Sequence, residues 1–375
     1  MTPELHAARA IRAYVAMRRH FLRRDGLYRR DGRPRLPGSA AHLWPAARAS
    51  AAAVDLLGLR PGLLGGLDAE AAVASHLSML ERYWDAESEL PAYASDVIGS
   101  RLGGDRYYDD NAWVGLVLVQ LERLRPGGGR LRRADRLFAF ALGGWDTRPD
   151  APSPGGVFWV EQGRGAGARN HDRNVVSNAP NAELGLHLDE LTAESDRGTR
   201  YARARDMYAW VNATLDAGGD AGAPGTGLFW DKLRGDGTID RTRWTYNQGS
   251  MIGANVLLAR RAGARDSARR LEQAETIAGR TLEHYAGLLD RQPAGFNAIL
   301  FRNLLLLDGA TGVATLRARI RMMMERYAES AWSMYRDRHD RFRFSRGGPT
   351  LLDQSAMVQI YALLAWDRGD YGRLA

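Results

Sequence analysis

Asp109 and Asp110 stand side by side in the segment Tyr107-Tyr108-Asp109-Asp110-Asn111-Ala112-Trp113, at the mouth of an otherwise apolar helix. Two like charges flanked by aromatic rings are costly to hold near a low-dielectric core. Hydrolysis of a sugar bond is the chemistry that most often needs two carboxylates over an aromatic floor. Helix capping competes with that role, because Asp is favoured at an N-cap and in the first turn, where the dipole stabilises it. The bracketing rings favour the catalytic role. Adjacent carboxyls at a helix start can lie about 5 Å apart, the spacing of retaining glycosidases; inverting enzymes need roughly 6.5–9.5 Å to admit a water. The dipole would keep one group ionised as nucleophile. Repulsion and partial burial would raise the pKa of the other, so that it can serve as general acid.

Other uses of an Asp pair fit less well. A terpene-synthase motif wants a third Asp four residues after the first, and position 113 is Trp. A metal dyad wants further His or Glu at helical spacing, and none is nearby. The stretch from Asp172 to Glu183 echoes a calcium loop, but Val176 and Ser177 occupy positions that need a ligand and a glycine. The chain has no cysteine, which excludes disulfides, thiolate metal sites and cysteine nucleophiles. His42, His76, His171, His187, His284 and His339 show no metal-ligand spacing, although His42 and His187 lie on inner helices and stay candidates for a pocket. There is no phosphate loop, dinucleotide fingerprint or serine elbow. No metal or cofactor is expected.

Helical periodicity dominates, and two kinds of helix alternate. Amphipathic helices with Arg and Glu on one face are expected near 4–22, 69–84, 131–143, 199–216, 265–290 and 313–334. In one of them Val73, Leu77, Leu80 and Trp84 follow a single stripe, and in another Met207, Trp210, Val211 and Leu215 do so. Helices apolar nearly all round run from HLWP at 42 into AARASAAAVDLLG and from YYDDNAW at 107 into VGLVLVQL, and through SNAPNAELGLHL from 177, TYNQGSMIGANVLLA from 245, GFNAILFRNLLLL from 295 and LLDQSAMVQIYALLAW from 351. A helix apolar on every side is a buried one. Six outer and six inner helices in alternation, with inner starts roughly 50–70 residues apart, predict an all-α (α/α)6 barrel built as one domain over residues 1–375. The inner helices would all begin at one end, around a shared cavity.

The long connections near 85–107, 144–176, 217–244 and 335–350 open onto that end. Gly-Gly-Val-Phe-Trp (155–159) and Gly-Leu-Phe-Trp-Asp (227–231) read as glycine-turned aromatic loops that wall a groove. The polar openings Ser177-Asn178, Tyr246-Asn247-Gln248-Gly249 and Asp353-Gln354 are, one by one, more often caps or buried hydrogen-bond networks. Taken together at one barrel end they favour recognition of hydroxyls, since amides and carboxylates pair with them as donors and acceptors. A subset of Trp44, Trp159, Trp230 and Trp244 at the rim would supply flat faces for pyranose rings.

The 375 residues, 45% hydrophobic, suffice for a large core. The net charge of +8 is carried almost wholly by arginine, with Lys232 the one lysine. Because those arginines are scattered along amphipathic segments, a solvated outer face is expected and not a nucleic-acid stripe. No stretch reads as a membrane span, and the amphipathic N-terminus lacks a signal's apolar region. The expected location is cytoplasmic as the chain stands, or secreted if an export signal has been removed. A monomer is expected.

YYDDNAW resembles the Asp-Asp signature of glycoside hydrolase family 76, the α-1,6-mannanase family. SNAPNAELGLHL, GLFWD, WTYNQGSMIGANVLL and LLDQSAMVQIYALLAW resemble family segments in the same order, so the likeness spans roughly residues 40–366. It implies an (α/α)6 barrel that hydrolyses α-1,6-linked mannose chains with retention, without metal or organic cofactor. Carried over, Asp109 is the nucleophile and Asp110 the general acid/base. Tyr246, Asn247 and Gln248 would line the subsites, and the expected substrate-binding set is completed by Tyr108, Trp113, Asn178, Asn181, Trp230, Asp231 and Asp353. The expected partner is α-mannan or its oligosaccharides. The alternatives are a hydrolase, transglycosidase or epimerase for another glycan on the same barrel, or a glycan-binding protein without catalysis.

Overall fold

The computed structural model of the protein describes residues 1–31, 40–99, 104–192, 198–218 and 227–375. The pieces 100–103 and 219–226 of the expected long connections lie outside the described residues.

Among the described residues, six outer helices alternate with six inner ones. The outer set is α1 (Pro3–Phe21), α3 (Ala69–Leu80), α5 (Arg130–Gly143), α7 (Thr199–Thr214), α9 (Ala264–His284) and α11 (Ala314–Ser330). The inner set is α2 (Leu43–Leu57), α4 (Tyr108–Leu124), α6 (Val175–Leu191), α8 (Thr245–Arg261), α10 (Ala294–Asp308) and α12 (Leu351–Ala365). Each inner helix packs on the next, α2 on α4, α4 on α6, and so on to α12, which returns to α2 and closes the ring. Outer helices sit outside it, α1 against α12 and the others against the inner helix that precedes them. The fold is the expected all-α (α/α)6 toroid.

Helix boundaries follow local chemistry. Thr2 caps α1, accepting a hydrogen bond from the Leu5 N–H, and Asp68 caps α3 through the Ala71 N–H. The helix expected over 69–84 stops at Leu80 and passes through a 3-10 turn, so Trp84 leaves the predicted stripe. Trp84 instead enters β1 (Trp84–Asp85), paired antiparallel with β2 (Ala92–Tyr93), and Arg133 lies 3.7 Å over its ring. The helix expected over 265–290 ends at His284, before Gly287 with its positive φ of 74° and ahead of Pro293. A second small sheet orders β3 (Arg173–Asn174), β4 (Lys232–Leu233) and β5 (Ile239–Asp240), all antiparallel, and ties the loop before α6 to the loop before α8.

Inner helices approach closely where glycine permits it. A Cβ on Gly249 would lie 2.7 Å from the Leu300 Cα, and one on Gly253 only 2.0 Å from the Asn303 Oδ1. These two glycines, one helical turn apart on α8, let it seat against α10. The inner helices are not apolar throughout, as the sequence pattern implied. Below the mouth of the barrel, Arg302 on α10 donates to both carboxylate oxygens of Asp55 on α2 at 2.5 Å and to Gln120 on α4 at 3.2 Å. Arg48 is paired with Gln359. Buried charges are held this way because an unpaired one is far more expensive than a paired one.

Candidate active site

All six inner helices begin at the same end, and their first turns or the residues just before them wall one cavity of about 1320 Å³. His42 and Trp44 reach it from α2, Asp109, Asp110 and Trp113 from α4, and Asn174 and Val176 from the start of α6. Tyr246, Phe296 and Leu352 complete the ring from α8, α10 and α12. The loops add Asp96, Trp159, Arg164, Asp231 and Lys232.

Asp109 and Asp110 lie in the first turn of α4, where no side chain caps the helix and Tyr107 is the N-cap. Trp159 Nε1 donates to Asp109 Oδ2 at 3.2 Å, while Asp109 Oδ1 is buried without a partner. Burial pushes the Asp109 carboxyl up to about 7; the Trp159 hydrogen bond, followed by the backbone N–H groups of Asp110 and Asp109, opposes that rise, and the neighbouring charge of Asp231 adds to it. Burial, and then the charge on Asp109, raise Asp110 well above the carboxylate range. The two acids therefore differ: the Trp159 donor favours the ionised form of Asp109, whereas the neighbouring charge on Asp109 disfavours that of Asp110. Such a divergence is what an acid and a nucleophile need.

Two aromatic flanks frame the pair. On one side Tyr107 and Trp159 meet at 4.9 Å between ring centroids. On the other, Phe296 gathers Trp44 at 5.7 Å and Tyr246 at 3.9 Å. Asp231 lines the same cavity, its Oδ1 accepting from Asn247 Nδ2 at 3.2 Å, and burial raises its carboxyl too. His42 Nδ1 lies 3.0 Å from Asp96 Oδ1 on the wall.

Of the residues expected to bind substrate, Trp113, Asp231 and Tyr246 lie on the cavity wall. The others do not. Tyr108 points the other way and stacks on Phe140 at 4.5 Å, because neighbouring residues at a helix start diverge; Tyr107 takes the place on the wall. Trp230 is buried in its loop, with Arg241 4.9 Å over its ring. Asn247 stands behind Asp231 and orients it. Asp353, in the first turn of α12, donates its N–H to the hydroxyl of the N-cap Thr350, and its carboxylate accepts from that same hydroxyl. Asn181 donates to the carbonyls of Tyr108 and Ser177. Of the tryptophans considered as platforms, Trp44 and Trp159 reach the cavity, whereas Trp230 and Trp244 are not on its wall. His187 lies buried near the C-terminal end of α6, where Arg123 donates to its Nδ1.

Asn178 and Gln248 have a structural role that recurs around the ring. Asn178 Oδ1 accepts from the Val157 N–H at 2.7 Å, and its Nδ2 donates back to the Val157 carbonyl at 3.2 Å. Gln248 clamps Phe229 in the same way, at 2.8 and 3.0 Å, and Asn111 clamps Tyr93, at 2.8 and 3.0 Å. Gln354 accepts from the Phe342 N–H and donates to the Ala13 carbonyl. Each amide lies four residues after its helix's N-cap and pins the loop before that helix, satisfying backbone groups that burial would otherwise orphan. The spacing was legible in the sequence: an Asn or Gln recurs at the same place in these four inner helices.

A family model of glycosyl hydrolase family 76 matches residues 74–360. No curated protein sequence matches the chain. Among solved structures, an α-mannanase of this family from Bacteroides thetaiotaomicron superposes with a TM-score of 0.79 at 16% identity, covering 96% of this chain and 95% of that one. A mannosidase of the family from the same organism gives 0.78 at 20% identity, covering 96% and 98%. An inactive variant of an α-1,6-mannanase from Salegentibacter sp., solved with α-1,6-mannotriose, gives 0.74 at 19% identity, covering 96% and 99%. These likenesses carry the fold. The family match runs from within α3 to within α12, through most of the ring that builds the cavity, and the chain belongs to glycosyl hydrolase family 76.

Proposed function

We propose that the protein is a retaining glycoside hydrolase acting on α-1,6-linked mannan or manno-oligosaccharides. The observation that carries this reading is the pair Asp109 and Asp110 on one cavity wall, with the Trp159 indole N–H donating to Asp109. The family and the mannan-active relatives supply the substrate class.

In this reading the ionised Asp109 attacks the anomeric carbon of the sugar, and its oxygen forms the new glycosyl bond. Asp110 transfers its proton to the departing glycosidic oxygen as that bond breaks. In the second half, Asp110, now a carboxylate, takes a proton from water. The water oxygen displaces Asp109, and the sugar leaves with its original configuration. Asp231, oriented by Asn247, accepts hydrogen bonds from sugar hydroxyls, and the two aromatic flanks take the apolar faces of successive rings.

Incubation with linear α-1,6-mannan and short α-1,6-manno-oligosaccharides, with sizing of products and their anomeric form by NMR, tests the reading. Release of shortened chains with first-formed α-anomers is expected. Asp109→Asn and Asp110→Asn are each expected to lower kcat by about 10³-fold or more while leaving the fold intact. Initial β-anomers, or near-normal turnover by either variant, would overturn it.

A further inference from the structure

We infer that Trp159 is a positioning residue for the reaction: its indole N–H anchors the Asp109 carboxylate and stabilises it in the ionised state required for attack. The inference rests on the assignment of Asp109 as nucleophile and extends it to a residue outside the acid pair.

Trp159 Nε1, 3.2 Å from Asp109 Oδ2, is the one side-chain donor that reaches Asp109 among the described residues. The other carboxylate oxygen is buried and unpartnered. A hydrogen bond to a charged form favours that form, and here it works against the burial that drives Asp109 towards protonation. A donor fixed before substrate arrives also needs no reorganisation during attack.

The mounting of Trp159 fits such a task better than that of a plain sugar platform. Its carbonyl accepts from the Tyr108 N–H at 3.0 Å, next in sequence to Asp109, so the donor and its acceptor are stitched together through the backbone. Its own N–H donates to the Asp172 carbonyl at 2.8 Å. The Asp172 side chain is held by the chain's one lysine, Lys232, at 2.7 Å. Lys232 lies beside Asp231, so one loop sheet braces both Trp159 and another carboxylate of the cavity wall. The Tyr107 ring packs against the Trp159 ring, tilted by 51°.

The test is Trp159→Phe, which keeps a ring against Tyr107 and removes the N–H. The expected result is a fall in kcat of about 10–100-fold, KM on α-1,6-mannotetraose within about threefold of wild type, and an acidic limb of kcat/KM shifted upward by about one pH unit. A sugar platform alone would raise KM and leave the limb in place, and that outcome overturns the inference. An independent readout needs no substitution at 159. Among the ten tryptophans, one indole N–H resonance of the wild-type protein should titrate with the acidic limb and cease to do so in Asp109→Asn. If no indole resonance follows that limb, the inference is likewise overturned, even if Trp159→Phe does not fold. Retained activity in Asp109→Asn would instead remove the nucleophile assignment beneath it. An inactive Asp109→Asn together with an unmoved limb in Trp159→Phe rejects the role of Trp159 alone.

Discussion

Asp109 and Asp110 are held where neither ionises readily, and this has consequences for both activity and stability. In the proposed mechanism the active form carries Asp109 ionised and Asp110 protonated. With Asp109 pushed up to about 7, kcat/KM should fall as pH drops below neutrality, and the falling alkaline limb should belong to Asp110, whose carboxyl is raised further. A pH–rate profile with full activity at pH 4.5 would contradict this. The stability effect has the opposite sense to that of a salt-bridged carboxylate. A group whose folded pKa is raised favours folding while protonated, and loses that contribution as pH climbs from the ordinary carboxylate range through the raised value. Asp110→Asn cannot ionise. It should therefore melt a few degrees above wild type at pH 8 and close to it at pH 4, which differential scanning calorimetry at the two pH values will reveal.

The first turns of the inner helices carry two kinds of polar residue with separate tasks. Some face the cavity; others, four residues after the N-cap, grip the preceding loop. Asn178 and Gln248 belong to the second kind. Removing Gln248 orphans the buried N–H and carbonyl of Phe229, and removing Asn178 orphans the Val157 N–H, whose carbonyl keeps the Ser177 hydroxyl; each orphaned group costs about 1–3 kcal/mol. Asn178→Ala and Gln248→Ala should therefore lower the urea midpoint strongly, whereas KM measured on the folded fraction should change little. A raised KM with unchanged stability would return these residues to the substrate. Gly249 and Gly253 have a comparable role: their place in a conspicuous motif reflects the close seating of α8 on α10 and not contact with sugar.

The ring as a whole is tied through its interior. Asp55 on α2 and Arg302 on α10 are not neighbours in the ring, and their ion pair spans the inside past α12. Arg302→Leu leaves Asp55 buried and unpaired, a loss of about 3–5 kcal/mol that urea unfolding can measure. Replacing both partners, Asp55→Leu with Arg302→Met, should restore most of it, because a buried pair exchanged for packed apolar groups is near neutral. Failure of the double variant to recover would mean that the pair does more than satisfy itself. Several of the arginines behind the net charge of +8 meet aspartate or glutamate on the outer helices, such as Arg269 with Asp266 and Arg319 with Glu283. Each such exposed pair adds little to stability.

What the chain alone disclosed was whatever is periodic or local. Alternating amphipathic and apolar helices announced the barrel, and adjacency in the chain put Asp109 and Asp110 in one helical turn. The resemblance of YYDDNAW and its companion segments to a family led to the same place. What it did not disclose depends on where a side chain points and what lies opposite. Tyr107 and not Tyr108 faces the cavity because successive helical positions diverge by about 100°. Asn178 and Gln248 serve loops because the loop backbones that arrive over them need partners. Trp159 reaches Asp109 only after the loop between α5 and α6 folds back across fifty residues of sequence. Arg302 and Asp55, 247 residues apart, were hidden in runs that read as apolar. Pairings between distant segments arise from closing the ring, and no local pattern of residues encodes them.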